Sequence, residues 1–308
     1  MNLILLDSVD SVIDLFSNDN VPIVKYPLPL QDGVELFIKR EDLLHKEISG
    51  NKFRKLKYNI SKAKELGYNK ILTFGGAYSN HIAATAAACR IFGFECIGVI
   101  RGEELADKLQ GNPTLLRAVE DGMTLEFVTR TQYRNKDAKA FIAMLDEKYG
   151  KFYLVPEGGT NNEAIKGTEE ILKSEDSVYQ YICTAVGTGG TIAGIINSSF
   201  DGQRVIGFPA LKGDFLYDEI RKYSLKDNWE LSLDYHFGGY GKYNNELLEF
   251  IFRFKETTGV LLDPIYTGKM MYGIMDLISN KQFNQGTKIL AVHTGGLQGW
   301  NDNIKIVK

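Results

Sequence analysis

Paired cysteine is missing from this chain. Its three cysteines, Cys89, Cys96 and Cys183, are odd in number and follow no regular spacing. Neither a disulfide framework nor a zinc site is expected, no other metal is called for, and a reducing cytoplasm suits the chain. Long apolar runs are missing too, since none approaches the roughly 18 residues a membrane helix needs. The run Leu3-Ile4-Leu5-Leu6 has no basic region before it and is followed by Asp7 and Asp10, so no signal peptide is expected. Charge of one sign is not in excess. The net charge is −3 and Lys and Arg are scattered, which leaves no basic stripe for nucleic acid. Repeats, low-complexity segments and a Walker motif are all absent.

What remains is a globular composition, 44% hydrophobic and 24% charged, over 308 residues. That length suggests roughly two domains. Short apolar runs alternate with amphipathic stretches. Strands are expected at 36–38, 70–74, 96–100, 124–128, 179–186, 204–208 and 289–293. Helices are expected at about 51–66, 80–91 and 113–119, with another starting at Thr191. This alternation predicts an α/β fold with open, twisted, mostly parallel sheets flanked by helices. We place a small domain at 67–157, inserted in a large one made of 1–66 and 158–308, with the polar turn Glu157–Asn162 returning the chain. In such sheets ligands sit beyond the carboxyl ends of strands. Three motifs fall there: Gly75-Gly76-Ala77-Tyr78-Ser79-Asn80-His81, Gly187-Thr188-Gly189-Gly190-Thr191 and His293-Thr294-Gly295-Gly296.

Ser49-Gly50-Asn51-Lys52 puts a lysine at the start of a helix, with Gly50 and Asn51 loosening the entry. The helix macrodipole disfavours an ammonium there, which favours the neutral nucleophile. Alone, Lys52 reads as one more solvated lysine beside Lys46, Lys55 and Lys57. The loop Gly187–Thr191 lets backbone amides approach an anion at a helix N-terminus. Its bland reading is a tight strand–helix turn. A dinucleotide site is disfavoured, because Ile192 stands where the third glycine belongs and no acidic residue follows at the right distance. A reactive amine plus a phosphate cup is what pyridoxal 5′-phosphate (PLP) requires: its aldehyde needs an imine partner and its dianion needs backbone donors.

Ser79 and Asn80 are ordinary helix caps ahead of the alanine-rich stretch 83–88, and the glycines before them suggest an anion nest suited to a carboxylate. Alone, His81 reads more readily as a structural histidine than as a catalyst. Tyr240 and Tyr266 lie on glycine- or proline-marked loops, and each reads as a packing residue or as an acid/base phenol. Thr294 offers a hydroxyl suited to a neutral pyridine nitrogen.

Taken in order, Ser49–Lys52, Gly75–His81, Gly187–Thr191, Tyr266-Thr267-Gly268-Lys269 and His293–Gly296 resemble the 1-aminocyclopropane-1-carboxylate deaminase/D-cysteine desulfhydrase family. The likeness runs from about residue 20 to 300 and implies PLP fold type II, the tryptophan synthase β type, with the cofactor between a large and a small domain. It implies Lys52 as the Schiff-base lysine and Asn80 on the cofactor's phenolic oxygen. Lys55 and the backbone of Gly187, Thr188, Gly189, Gly190 and Thr191 would hold the phosphate. Ser79, Asn80 and His81 would face the substrate carboxylate, with Tyr240 and Tyr266 flanking ring and substrate. A homodimer is typical of the family.

The deaminases of the family carry Glu where Thr267 stands and Leu where Thr294 stands; the Thr/Thr pair is similar to the desulfhydrases. A carboxylate at the pyridine nitrogen makes a strong electron sink, whereas a threonine gives a weaker one, sufficient for a good β leaving group. The expected reaction is α,β-elimination from a small D-amino acid, D-cysteine foremost, with Lys52, Ser79 or Tyr266 taking the Cα proton. Opening of 1-aminocyclopropane-1-carboxylate, PLP chemistry on another small amino acid, and a non-enzymatic PLP-binding module are the rival readings.

Overall fold

The structure, a computed structural model, describes residue 16, residues 20–297 and residue 300. The apolar run at 3–6 lies outside the described residues. In chain order the elements are β1 (Ile23–Lys25), β2 (Glu35–Lys39), α1 (Asn51–Glu65), β3 (Lys70–Gly75), α2 (Asn80–Phe92), β4 (Glu95–Arg101), α3 (Pro113–Glu120) and β5 (Met123–Val128). There follow α4 (Arg130–Arg134), α5 (Lys139–Tyr149), β6 (Tyr153–Val155), α6 (Asn162–Thr168), β7 (Tyr181–Val186), α7 (Gly190–Ser198) and β8 (Arg204–Pro209). The last are α8 (Leu216–Arg221), β9 (Trp229–Leu231), α9 (Asn245–Thr258), α10 (Thr267–Ser279) and β10 (Lys288–Val292). No described helix is long and apolar enough to cross a membrane.

The chain forms two compact units. One is built on Lys55–Ala164, the other on residues 20–54 together with Ile165 onward. The division therefore falls after Arg54 and Ala164, where the sequence suggested 66 and 157. Hydrogen bonds account for the difference. Lys55 Nζ donates to Gly158 O and Thr160 Oγ1 (2.8 and 3.0 Å), and Asn59 exchanges amide bonds with Asn161 (3.1 and 2.7 Å). Residues 55–66 and 158–164 are thereby tied to the same unit.

The first unit carries a parallel four-stranded sheet, ordered β5-β4-β3-β6. The chain runs from β3 outward to β5, then returns to β6 on the other side of β3. That reversal is the switch point where ligands of open α/β sheets bind. Beyond it lie Ser79, Asn80 and His81 after β3 and the turn Glu157–Gly159 after β6.

The second unit carries a six-stranded sheet, ordered β1-β2-β10-β7-β8-β9, parallel except for β1. Here the reversal separates β7 from β10, and beyond it lie the loops Gly187–Thr191 and His293–Gly296. Alternate residues feed opposite faces, as the period of two demands. Ile289 and Ala291 of β10 join Cys183 and Ala185 of β7 in one core, while Leu290 and Val292 join Ile182 and Val186 in the other. A strand buried on both faces reads as a continuous apolar run, which is why β7 and β10 were visible in the sequence.

Arg54, on the first turn of α1, is 0% exposed and forms a two-pronged pair with Glu41, itself buried (Nε–Oε2 2.9 Å, Nη2–Oε1 3.0 Å). The pair fixes the entry of the helix that carries Lys52. Arg54→Met strands the Glu41 carboxylate away from water and should cost about 3–5 kcal/mol. Chemical denaturation checks this through a lower midpoint at unchanged slope.

Candidate active site

In the second unit, the motifs that the sequence left separate are joined by backbone packing and one hydrogen-bond chain. Gly50 has φ +62° and donates its place to a neighbour: a Cβ there would sit 2.0 Å from Thr294 O. Asn51 N donates to the same oxygen (3.2 Å). On the other side, a Cβ at Gly295, φ +82°, would meet Ser49 Oγ at 2.7 Å. Gly50 thus does not loosen the helix entry, as the sequence suggested. It lets the start of α1 press against the end of β10, which no side chain would permit.

Lys52 Nζ donates to Asn51 Oδ1 (3.0 Å), and Asn51 Nδ2 donates to Thr191 Oγ1 (2.8 Å). One amide therefore links the amine to the glycine-rich loop. Gly189, φ +85°, precedes α7, whose N-terminus has no side-chain cap, so its amides are free to take an anion. Burial pushes the Lys52 amine down to about 8 from its ordinary 10.5, against the opposing charge of Asp263. Desolvation is the leading cause, rather than the macrodipole expected from the sequence. Thr294 is only 7% exposed.

Asp263 organises the turn that presents Tyr266. Its Oδ1 accepts from Ile265 N and Tyr266 N (2.9 and 2.7 Å), and its Oδ2 from Thr267 N and Oγ1 (2.8 and 2.6 Å). Burial raises the Asp263 carboxyl, while these four donors pull it down. The Thr267 hydroxyl is consumed here. Tyr266 lies against the glycine loop, since a Cβ at Gly187 would come 3.2 Å from its Cε1. Tyr240, 43% exposed, packs edge-on against the Tyr266 ring with centroids 6.1 Å apart. Asp263 escaped sequence reasoning; its only signal was an Asp-Pro ahead of a Thr at a helix start, an Asx-turn pattern.

In the first unit, Ser79 caps α2 by accepting from Ile82 N (3.3 Å), and Ala83 N turns back to Ser79 O (3.3 Å). The first amides of a helix have no acceptor within it. Asn80 Oδ1 is shielded from solvent and has no hydrogen-bond partner. Turned by half a rotation, the same amide presents Nδ2–H, the donor a phenolic oxygen takes. The His81 ring is committed elsewhere. Thr73 Oγ1 gives its proton to Val155 O (2.8 Å), so it must accept from His81 Nε2 (2.7 Å). Neither Gly75 nor Gly76 takes a left-handed backbone. Gly75 instead admits Ile82, whose Cγ1 would lie 2.4 Å from a Cβ.

Within the second unit, a depressed amine and an uncapped helix N-terminus beside it suit a phosphorylated aldehyde. Residues 17–295 match the family described as "Pyridoxal-phosphate dependent enzyme". The chain is 34% identical to the bifunctional D-cysteine desulfhydrase/1-aminocyclopropane-1-carboxylate deaminase, mitochondrial, of Arabidopsis thaliana, across 92% of this chain and 78% of that one. The chain belongs to the PLP-dependent 1-aminocyclopropane-1-carboxylate deaminase/D-cysteine desulfhydrase family.

A Pyrococcus furiosus protein provisionally named 1-aminocyclopropane-1-carboxylate deaminase is 33% identical, over 87% of this chain and 86% of its own. The crystal structure of a homologue of the deaminase superposes with a TM-score of 0.76 at 27% identity, covering 94% of this chain and 95% of that one. A hydrogen sulfide-producing enzyme from Fusobacterium nucleatum shares the fold, with a TM-score of 0.66 at 18% identity, over 94% of this chain and 99% of that one. This family membership brings PLP as the cofactor and fold type II as the architecture, as the motifs implied.

Two measurements bear on the second unit. With its amine at about 8, Lys52 is half neutral at that pH, where an ordinary lysine is roughly 0.3% neutral. The rate at which cofactor-free protein takes up PLP into its visible-absorbing linkage should therefore rise through pH 8 and level off well short of 10.5. Gly50→Ala places a methyl into Thr294 O at a left-handed backbone position. It should abolish that absorbance and lower the melting temperature, read by spectrophotometry and calorimetry.

Proposed function

We propose that the chain catalyses α,β-elimination on a small D-amino acid, with D-cysteine and water giving pyruvate, hydrogen sulfide and ammonia. The supporting observation is the Thr267/Thr294 pair. Thr267 spends its hydroxyl on Asp263, and a threonine, 7% exposed, stands at 294, so neither position supplies a carboxylate to a ring nitrogen. The weaker sink that results is enough when the leaving group is hydrosulfide.

PLP, when bound, draws electrons away from the substrate Cα. Everything else falls to side chains. Lys52 would hold the aldehyde and, once freed, take the Cα proton at Nζ; its lowered pKa raises the neutral fraction far above that of an ordinary lysine. Ser79 and Tyr266 are the hydroxyl alternatives for that proton. The backbone of Gly187–Thr191 would receive the phosphate, joined by Lys55, whose ammonium also binds Gly158 O and Thr160 Oγ1. Asn80 would meet the phenolic oxygen and Thr294 the ring nitrogen. Ser79 and the N–H groups of Asn80 and His81 would take the substrate carboxylate. Tyr240, against Tyr266, would line the substrate. A cytoplasmic setting and a homodimer belong to the same proposal, the first supported by three free, buried thiols and the second by the family resemblance.

The names of the Arabidopsis and Pyrococcus relatives favour a second reading, hydrolytic ring opening of 1-aminocyclopropane-1-carboxylate to 2-oxobutyrate and ammonia. A D/L amino-acid panel with product identification separates the two. We expect kcat/KM for pyruvate and sulfide from D-cysteine to exceed that for 2-oxobutyrate by more than about tenfold. Equal or faster 2-oxobutyrate formation overturns the desulfhydrase reading.

A further inference from the structure

Lys269 is a charged side chain with 1% of its surface exposed, and no step above uses it. It lies one helical turn beyond Tyr266 on α10. Its Nζ donates to His236 O and Gly239 O, both at 2.9 Å. Those carbonyls lie in a sharply bent loop that leads into Tyr240: Phe237, Gly238, Gly239 and Gly241 all have positive φ, at +51°, +88°, +111° and +73°. Phe237 is a bulky residue in that region, a conformation that persists only when its surroundings impose it. Tyr240 sits inside the bend, edge-on to Tyr266.

Removing a lysine from water without a carboxylate partner is unfavourable. Lys269 has two carbonyls instead, and burial pushes its amine down to about 8 against the charge of Asp263. Burying a neutral residue of similar length would avoid that cost but leave His236 O and Gly239 O with no donor from the helix. The amine therefore does what an apolar side chain cannot: it clamps the bend, by two carbonyls, to the helix whose first turn presents the other phenol.

We propose that Lys269 is a positioning residue that holds the 236–241 loop so that Tyr240 stays docked on Tyr266. The proposal rests on reading these two phenols as active-site residues. It does not depend on which amino acid is turned over.

The test uses holoenzyme with Lys269→Met and Lys269→Gln, alone and combined with Tyr240→Phe. Trypsin cleavage after the exposed Lys242 needs no substrate. It should accelerate by about tenfold or more in either Lys269 variant, because a released loop is cut from its open form. Kinetics with the best substrate of the panel should show kcat/KM lowered by about 100-fold, as misplacement of a contact group does. In the Tyr240→Phe background the same change should cost no more than about twofold if Lys269 acts through the position of that phenol. Retention of the visible PLP band shows that a variant has folded, and the glutamine variant serves if methionine does not. Unchanged cleavage after Lys242, or an undiminished kinetic loss in the Tyr240→Phe background, overturns the proposal. Absence of sulfide from D-cysteine, with loop cleavage accelerated, overturns only the choice of substrate.

Discussion

The hydrogen-bond chain Lys52–Asn51–Thr191 is the interaction that ties the start of α1 to the glycine-rich loop, and the proposed chemistry depends on it. An amide offers one acceptor and two donors, so a single Asn51 can hold an amine on one side and a hydroxyl on the other. Two segments 140 positions apart in the sequence become one site through it. Strand order makes this possible. β10 lies between β2 and β7, so the segment after β2, the loop after β7 and the end of β10 all emerge at the same sheet edge.

Electrostatics around that chain are set by burial more than by charge. Both amines that matter, at positions 52 and 269, are pushed down by desolvation, and in both cases Asp263 opposes the shift. Asp263 does not neutralise them because its oxygens are committed to the turn at 265–267. One carboxylate thus shapes the loop of Tyr266 and moderates two lysines without pairing with either.

Much of this was legible in the sequence. The parallel sheets showed as apolar runs bounded by glycines, and Ser79 was recognisable as a cap from its place before an alanine-rich helix. Lys52 alone read as a solvated lysine, and only its company with the glycine-rich Gly187–Thr191 turn and the other motifs singled it out. What stayed hidden depends on contacts remote in sequence. Lys55 and Asn59 move the unit boundary through bonds to residues a hundred positions away, which no local period records. Gly50 reads as flexibility until Thr294 is seen against it. The short elements β1, β6 and β9, of three residues each, were too brief for a period to emerge.

The contact between Gly50 and the carbonyl of Thr294 is made by main chain alone. The junction between the start of α1 and the end of β10 is consequently indifferent to the side chains around it. Exchanging those side chains leaves the main-chain contact in place, whereas a single methyl added at position 50 occupies the space that the carbonyl needs.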